Sequence, residues 1–170
     1  MNRPLAPLAL VLALACANPA LAAEDISRIN GSIETTAGGH YGDLETVNGA
    51  VRVAERGQAG AASTVNGSIT VGDGARLESL EAVNGSLRLG RDVQVAGGIE
   101  TVNGSVFVDQ GSRIGRGVET VNGAIGLVRT HLGTGIETVN GNITVGIGSP
   151  LDGGITVSRP PCCVSTAPKH

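Results

Sequence analysis

Aliphatic residues fall along this chain at fixed distances from a recurring Asn-Gly dipeptide, and the distances repeat. Counting from Val65, the residue before Asn66-Gly67, apolar side chains stand at offsets 0, 4, 6, 12 and 15, namely Val65, Ile69, Val71, Leu77 and Leu80. The same offsets carry Val102, Val106, Val108, Ile114 and, one place later, Val118; in the last copy they carry Val139, Ile143, Val145, Leu151 and, again one place later, Ile155. The dipeptide begins at Asn30, Asn48, Asn66, Asn84, Asn103, Asn122 and Asn140, at intervals of 18, 18, 18, 19, 19 and 18 residues. A unit this short cannot enclose a core of its own, so each copy is one turn of a structure whose core is made by stacking.

Within a copy, offsets 4 and 6 alternate with a polar residue, as in Ile69-Thr70-Val71, Leu87-Arg88-Leu89 and Ile143-Thr144-Val145, the signature of a short half-buried strand. Gly-rich corners such as Gly72-Asp73-Gly74 and Gly146-Ile147-Gly148 separate the strands, where positive φ is cheap for glycine. The pattern therefore predicts an all-β, single-stranded parallel β-helix, a β-solenoid of about seven coils of 18–19 residues over residues 23–157. At about 4.8 Å per coil the stack is roughly 30 Å long. A competing reading makes each Asn-Gly a type I′ hairpin turn in an antiparallel meander. Identical residues at identical offsets favour stacking, in which Asn30, Asn48, Asn66, Asn84, Asn103, Asn122 and Asn140 form one ladder of amides. The five offsets are expected to be core ladders, so Val102→Asp is expected to bury an unpaired charge. The first copy, with Thr35 and Tyr41 at core offsets, reads as a capping coil, and Pro160-Pro161 ends the pattern.

Composition changes the picture in two ways. Tyr41 and Phe107 are the only aromatics and there is no Trp, whereas Gly, at 27 residues, is abundant; thin coils filled by Val, Ile and Leu suit that composition better than a compact globular core. Residues 1–22 have Arg3, an apolar run from Leu5 to Ala17, and Ala20-Leu21-Ala22, which together read as a secretory signal peptide with the mature chain starting at Ala23. The run is too short for a transmembrane helix, and no such segment is expected after its removal. An alternative uses Cys16 as the lipidated first residue of a lipoprotein. Either way the protein is expected to be exported, to the periplasm or cell surface, with residues 158–170 an irregular tail. The formal net charge of −3, with few aromatics, argues against nucleic acid as a partner.

The repeated Glu-Thr-Val-Asn-Gly-x-Ile pattern over residues 26–157 resembles the glycine-rich β-solenoid repeat family of Gram-negative bacteria, in which adhesin-like domains and domains without assigned function are found. It is similar, less closely, to the polymer-forming bactofilins, whose right-handed coils are of comparable length. The resemblance implies a right-handed solenoid and no catalytic residue. Bactofilins are cytoplasmic or bound to the inner face of a membrane, whereas this chain carries an export signal. Members of the Glu-Thr-Val-Asn-Gly type also tend to continue further, which makes the tail a shortened or altered end.

Candidate chemistry is sparse. Glu45, Glu81, Glu100, Glu119 and Glu137 each precede the repeat Asn by three residues, with Ser63 interrupting the row. The stripe reads either as a docking strip or cation site, or as a solubilising face. Thr46, Thr64, Thr101, Thr120 and Thr138 form a second row, expected to face solvent as ordinary β-formers; ice-binding solenoids carry more than one Thr per coil. Asp43, Asp73, Asp92 and Asp109 lack the Gly-Gly-x-Gly-x-Asp context of calcium-binding coils, and no metal or other cofactor is expected. His40, His131 and His170 are scattered in sequence, and no insertion supplies the pocket of a hexapeptide-type acyltransferase. Cys162 and Cys163 are adjacent, which favours an intermolecular disulfide over a strained ring, or no role at all. The sequence thus points to an exported, non-enzymatic structural or adhesin-like solenoid, with a protein or cell-envelope partner of unknown identity and room for self-association. A bactofilin-like polymer is the alternative, and an acyltransferase the second alternative.

Overall fold

A computed structural model describes residues 23–150 and 152–157. The leader with Cys16, the core-offset residue Leu151, and the tail with Cys162, Cys163 and His170 lie outside the described residues. The chain is all-β and winds into stacked coils, with each strand pairing in parallel with the equivalent strand one coil away. No antiparallel pair occurs among the described residues, so the Asn-Gly dipeptides are corners of a solenoid and not hairpin turns.

A middle coil shows the plan. Strand Ile99–Asn103 forms one face, the Asn103-Gly104 corner leads to Val106–Val108 on a second, and a tight corner leads to Arg113–Ile114 on a third before Val118–Asn122 begins the next coil. The second faces stack into a seven-stranded sheet, and the first and third belong to an eleven-stranded one. In earlier coils one strand spans both of the latter faces, as in Arg76–Asn84; later it is split at Gly97-Gly98, Gly115-Arg116-Gly117 and Gly133-Thr134-Gly135. The extra residue of the 19-residue copies sits at this corner, three residues separating Ile114 from Val118 where two separate Leu77 from Leu80.

The core is one continuous column. Offsets 4, 6, 12 and 15 point into it, through Ile69, Val71, Leu77 and Leu80 in one coil and Val106, Val108, Ile114 and Val118 in another. A further inward row, Ala75, Val93, Ser112 and Thr130, lies at the tight corner and is not marked by the aliphatic pattern. In the last coil, Ile143 is buried, Val145 is half-buried and Ile155 is exposed, with few of the described residues stacked above them, while Val139 is half-buried on the outer side of its strand. At the other end Thr35 is buried and Tyr41 packs against the core edge, while Thr36 N donates to Tyr41 Oη at 3.1 Å.

The structure corrects two rows. Val47, Val65, Val83, Val102 and Val121, assigned to the core by their offset, are outside, each 39–41% exposed. Thr46, Thr64, Thr101, Thr120 and Thr138, assigned to solvent, are inside, Thr101 being only 4% exposed. The reason is strand parity: Ile99 points inward, so with a two-residue period Thr101 must follow it inward and Glu100 and Val102 must point out. Thr46 Oγ1 donates to Gly31 O at 3.0 Å and Thr64 Oγ1 to Gly49 O at 3.3 Å, but the hydroxyls of Thr101, Thr120 and Thr138 are buried without a partner.

Two kinds of glycine hold the corners. At the tight corner Gly38, Gly74, Gly111 and Gly148 have φ of 68°, 69°, 80° and 84°, but Arg56, Asp92 and Arg129 occupy the equivalent places at 55°, 55° and 44°, so a side chain is tolerated there. After the ladder Asn, every copy keeps glycine. A Cβ at Gly67, Gly85, Gly104, Gly123 or Gly141 would overlap the carbonyl oxygen of the glycine one coil below, while one at Gly31, in the first described coil, meets nothing among the described residues.

Gly85→Ala forces backbone apart and is expected to cost about 3 kcal/mol, whereas Gly74→Ala meets only the positive φ and costs about 1 kcal/mol. Equal losses in denaturant unfolding would contradict the close-approach account. Thr120→Val removes an unpaired hydroxyl and is expected to add about 1 kcal/mol, while Thr46→Val loses a hydrogen bond and costs about as much. Val102→Asp, now an outward position, is expected to change stability by less than about 1 kcal/mol; a loss of several kcal/mol would restore the inward assignment.

Candidate functional faces

The parallel register turns each repeated residue into a line along the solenoid. Glu45 pairs with Ser63, Ser63 with Glu81, Glu81 with Glu100, Glu100 with Glu119 and Glu119 with Glu137, so the carboxylates form one outward row broken only at Ser63. Beside it, two residues along each strand, runs the exposed Val row. Between the two lies a shallow groove of about 460 Å³ spanning from Val65 to Val139, with Glu81, Glu100, Glu119 and Glu137 along one side. Like charges one strand apart repel modestly in water, which keeps this face from closing on an identical face.

The Asn ladder borders the Val row at the corner. Asn48 Nδ2 donates to Asn30 Oδ1 at 3.1 Å, and the same bond recurs from Asn66 to Asn48, Asn84 to Asn66, Asn103 to Asn84, Asn122 to Asn103 and Asn140 to Asn122. All seven asparagines are exposed, so the ladder is a surface seam and satisfies its own amides instead of buried groups. Its bonds all run one way, leaving Nδ2 of Asn30 and Oδ1 of Asn140 without a ladder partner among the described residues.

The third face carries a row that sequence reading did not assemble. Parallel pairing places Gln58 against Arg76, Arg76 against Gln94, Gln94 against Arg113 and Arg113 against His131, and a bridge adds His40 beside Gln58. Two of the scattered histidines thus stand at opposite ends of a single line. Every member of it can donate a hydrogen bond and none is acidic. Beside this line lies a hollow of about 410 Å³ with Ala96, Gly115 and Gly133 on its outer surface. His131 Nε2 lies 3.3 Å from Asp152 Oδ2. The signal was present in the sequence at offset 11, or 10 for His131, as a run of polar residues with no aliphatic periodicity to draw attention to it.

Other charged groups are used locally. Asp25, Asp43 and Asp73 each accept the backbone N–H of a residue about one coil on, Asp43, Ala61 and Arg91 respectively, at 2.8–2.9 Å. Those aspartates clamp corners together, a role the sequence does not advertise. Arg52 pairs with Glu34 at 2.8 Å across neighbouring coils, both exposed. The Tyr41 phenol is held below its ordinary value by the hydrogen bonds from Thr36, which favour the phenolate. Among the described residues no group of three or more His, Cys, Asp or Glu side chains is arranged to hold a metal ion, and no helix is long and apolar enough to cross a membrane.

No family model, curated protein or solved structure matches the chain. The faces must therefore be read from their own chemistry.

Proposed function

We propose that the protein is an exported, non-enzymatic β-solenoid of structural or adhesive function, acting through its long faces. The observation that carries this reading is the groove between the Glu and Val rows, repeated coil after coil from Val65 to Val139 with no inserted loop. A line of equivalent shallow sites suits many weak contacts that add along its length. Glu and half-exposed Val together offer charge selectivity and apolar area, the pairing found at interfaces with a polar rim. Export rests on the leader-like residues 1–22.

Beads coated with the protein should attach to cell-envelope fragments of the source organism, and beads bearing Glu81→Lys/Glu100→Lys/Glu119→Lys should attach at least tenfold less. Equal attachment by both, or none above bare beads, would count against the reading.

A second reading, a head-to-tail polymer of the bactofilin kind, is favoured by the polarity of the Asn ladder. The donor left at Asn30 and the acceptor left at Asn140 are complementary, and Ile29 and Ile147, 72% and 71% exposed, sit near the respective ends. Negative-stain electron microscopy with reductant present separates the two: long filaments favour end addition, and short rods alone remove it.

A further inference from the structure

We infer that the partner of the Glu–Val face is the His–Gln–Arg face of a second copy of this chain, the two solenoids lying side by side with their axes antiparallel. This rests on the reading of the Glu–Val face as the contact surface and names its occupant.

Three observations select a second copy. The first is charge. One face has an outward row of Glu45, Glu81, Glu100, Glu119 and Glu137; the other has His40, Gln58, Arg76, Gln94, Arg113 and His131, in which Arg76 and Arg113 carry the positive charge, Gln58, Gln94 and His40 add neutral donors, and His131 already faces Asp152 of its own chain. The second is shape. Two residues beyond Glu on each strand stands a projecting Val, and two residues beyond the donor row stand Gly60, Ala96, Gly115 and Gly133, with only Glu78 large. Gly115 and Gly133 cannot grow side chains, because a Cβ there would overlap the carbonyl oxygens of Ala96 and Gly115 in the coil below. The shelf that would receive the Val ridge is therefore built into the stacking. The row-to-row separation is two residues on both faces, so charge can meet donor while Val meets shelf.

The third is period. Both rows advance one residue per coil, about 4.8 Å, and a second copy keeps that step along its whole length. An extended basic peptide laid along the axis presents same-side residues about 6.6 Å apart and drifts out of phase within two coils. That mismatch disfavours a peptide and leaves the second copy as the occupant.

Direction follows from row order. Along the chain Glu precedes Val on one face and donor precedes shelf on the other. Two facing solenoids with parallel axes run their strands in opposite directions across the contact, which would set Glu against shelf and Val against Arg. Reversing one axis aligns both pairs, whatever the hand of the coil. The contact is heterologous, so each copy keeps one face of each kind free and the array can grow sideways.

The test is sedimentation velocity on the chain as the cell processes it, in reductant so that thiols do not contribute. Wild type should self-associate, with at least a tenfold loss of affinity between 50 and about 500 mM salt. Glu100→Arg/Glu119→Arg and Arg76→Glu/Arg113→Glu should each be monomeric alone, because each retains one intact face. Mixed in equal amounts they should associate again, since one intact face of each kind remains and the two reversed rows are themselves opposite in charge. All four positions are exposed, and melting of each variant checks that it is folded; Glu100→Gln/Glu119→Gln serves if the reversed charges disturb the stack. A wild type that stays monomeric at low salt, or variants that associate alone as wild type does, would overturn the inference. Monomeric protein whose beads still attach to envelope through the Glu row would sink the pairing while leaving the surface reading intact; monomeric protein with no attachment would sink both.

Discussion

The close passage of one glycine backbone over another is what the rest of this molecule depends on. At Gly49, Gly67, Gly85, Gly104, Gly123 and Gly141 the chain lies so near the carbonyl of the coil below that no side chain fits between them. That contact fixes register: a slip of one residue would put a side chain where only hydrogen fits. Register in turn aligns every Asn with the Asn beneath it, every Glu with a Glu, and every inward aliphatic with its counterpart. Asn and Gly therefore do different jobs in the dipeptide. Asn ties neighbouring coils at the surface by one amide hydrogen bond, and Gly permits the approach that makes the bond reachable.

The tight corner shows the contrast. Its left-handed conformation is kept in all seven copies, yet Arg56, Asp92 and Arg129 adopt it where others use glycine. Strain there is a local cost of order 1 kcal/mol that the surrounding ladder can absorb. A clash of backbone with Cβ cannot be absorbed without separating coils. Evidently the chain is permissive where the constraint is torsional and strict where it is steric.

Much of the fold was legible because the repeat imposes it. Equal spacing of Asn-Gly, the Ile-x-Val strands and the near absence of aromatics were enough to reach a parallel solenoid of about seven coils. Parity on the Glu-Thr-Val-Asn strand runs against hydropathy: Val, the hydrophobic residue, points out and Thr, the polar one, points in, so composition there opposes geometry. Leu80 and Ala82, two apart and both buried, held the answer: inward positions continue at that interval, so the residue before Asn had to face out. The acidic row was readable as a row, because its residues are identical. The donor row was not, since His, Gln and Arg share no letter and no hydropathy, and only pairing shows that they share a line.

The orientation of the Val and Thr rows bears on function. A buried Val row would leave the Glu row as an isolated strip of charge, whose simplest role is solubility. An outward Val row beside it converts the same strip into an amphipathic groove, and the inward Thr row removes the flat hydroxyl array that an ice-facing surface would need. The buried hydroxyls of Thr101, Thr120 and Thr138 find no acceptor in the solenoid, so Thr is not there for a hydrogen bond in those coils. Its shape is the reason that remains: a β-branched side chain of Val size fills the column between Ile99 and the Asn corner, and Ala82 shows the same place filled more sparsely. Placing Val outside and its near-isostere inside costs core stability. That arrangement gives up core stability for exposed apolar area, which is what the contact role proposed for the outer Val row requires.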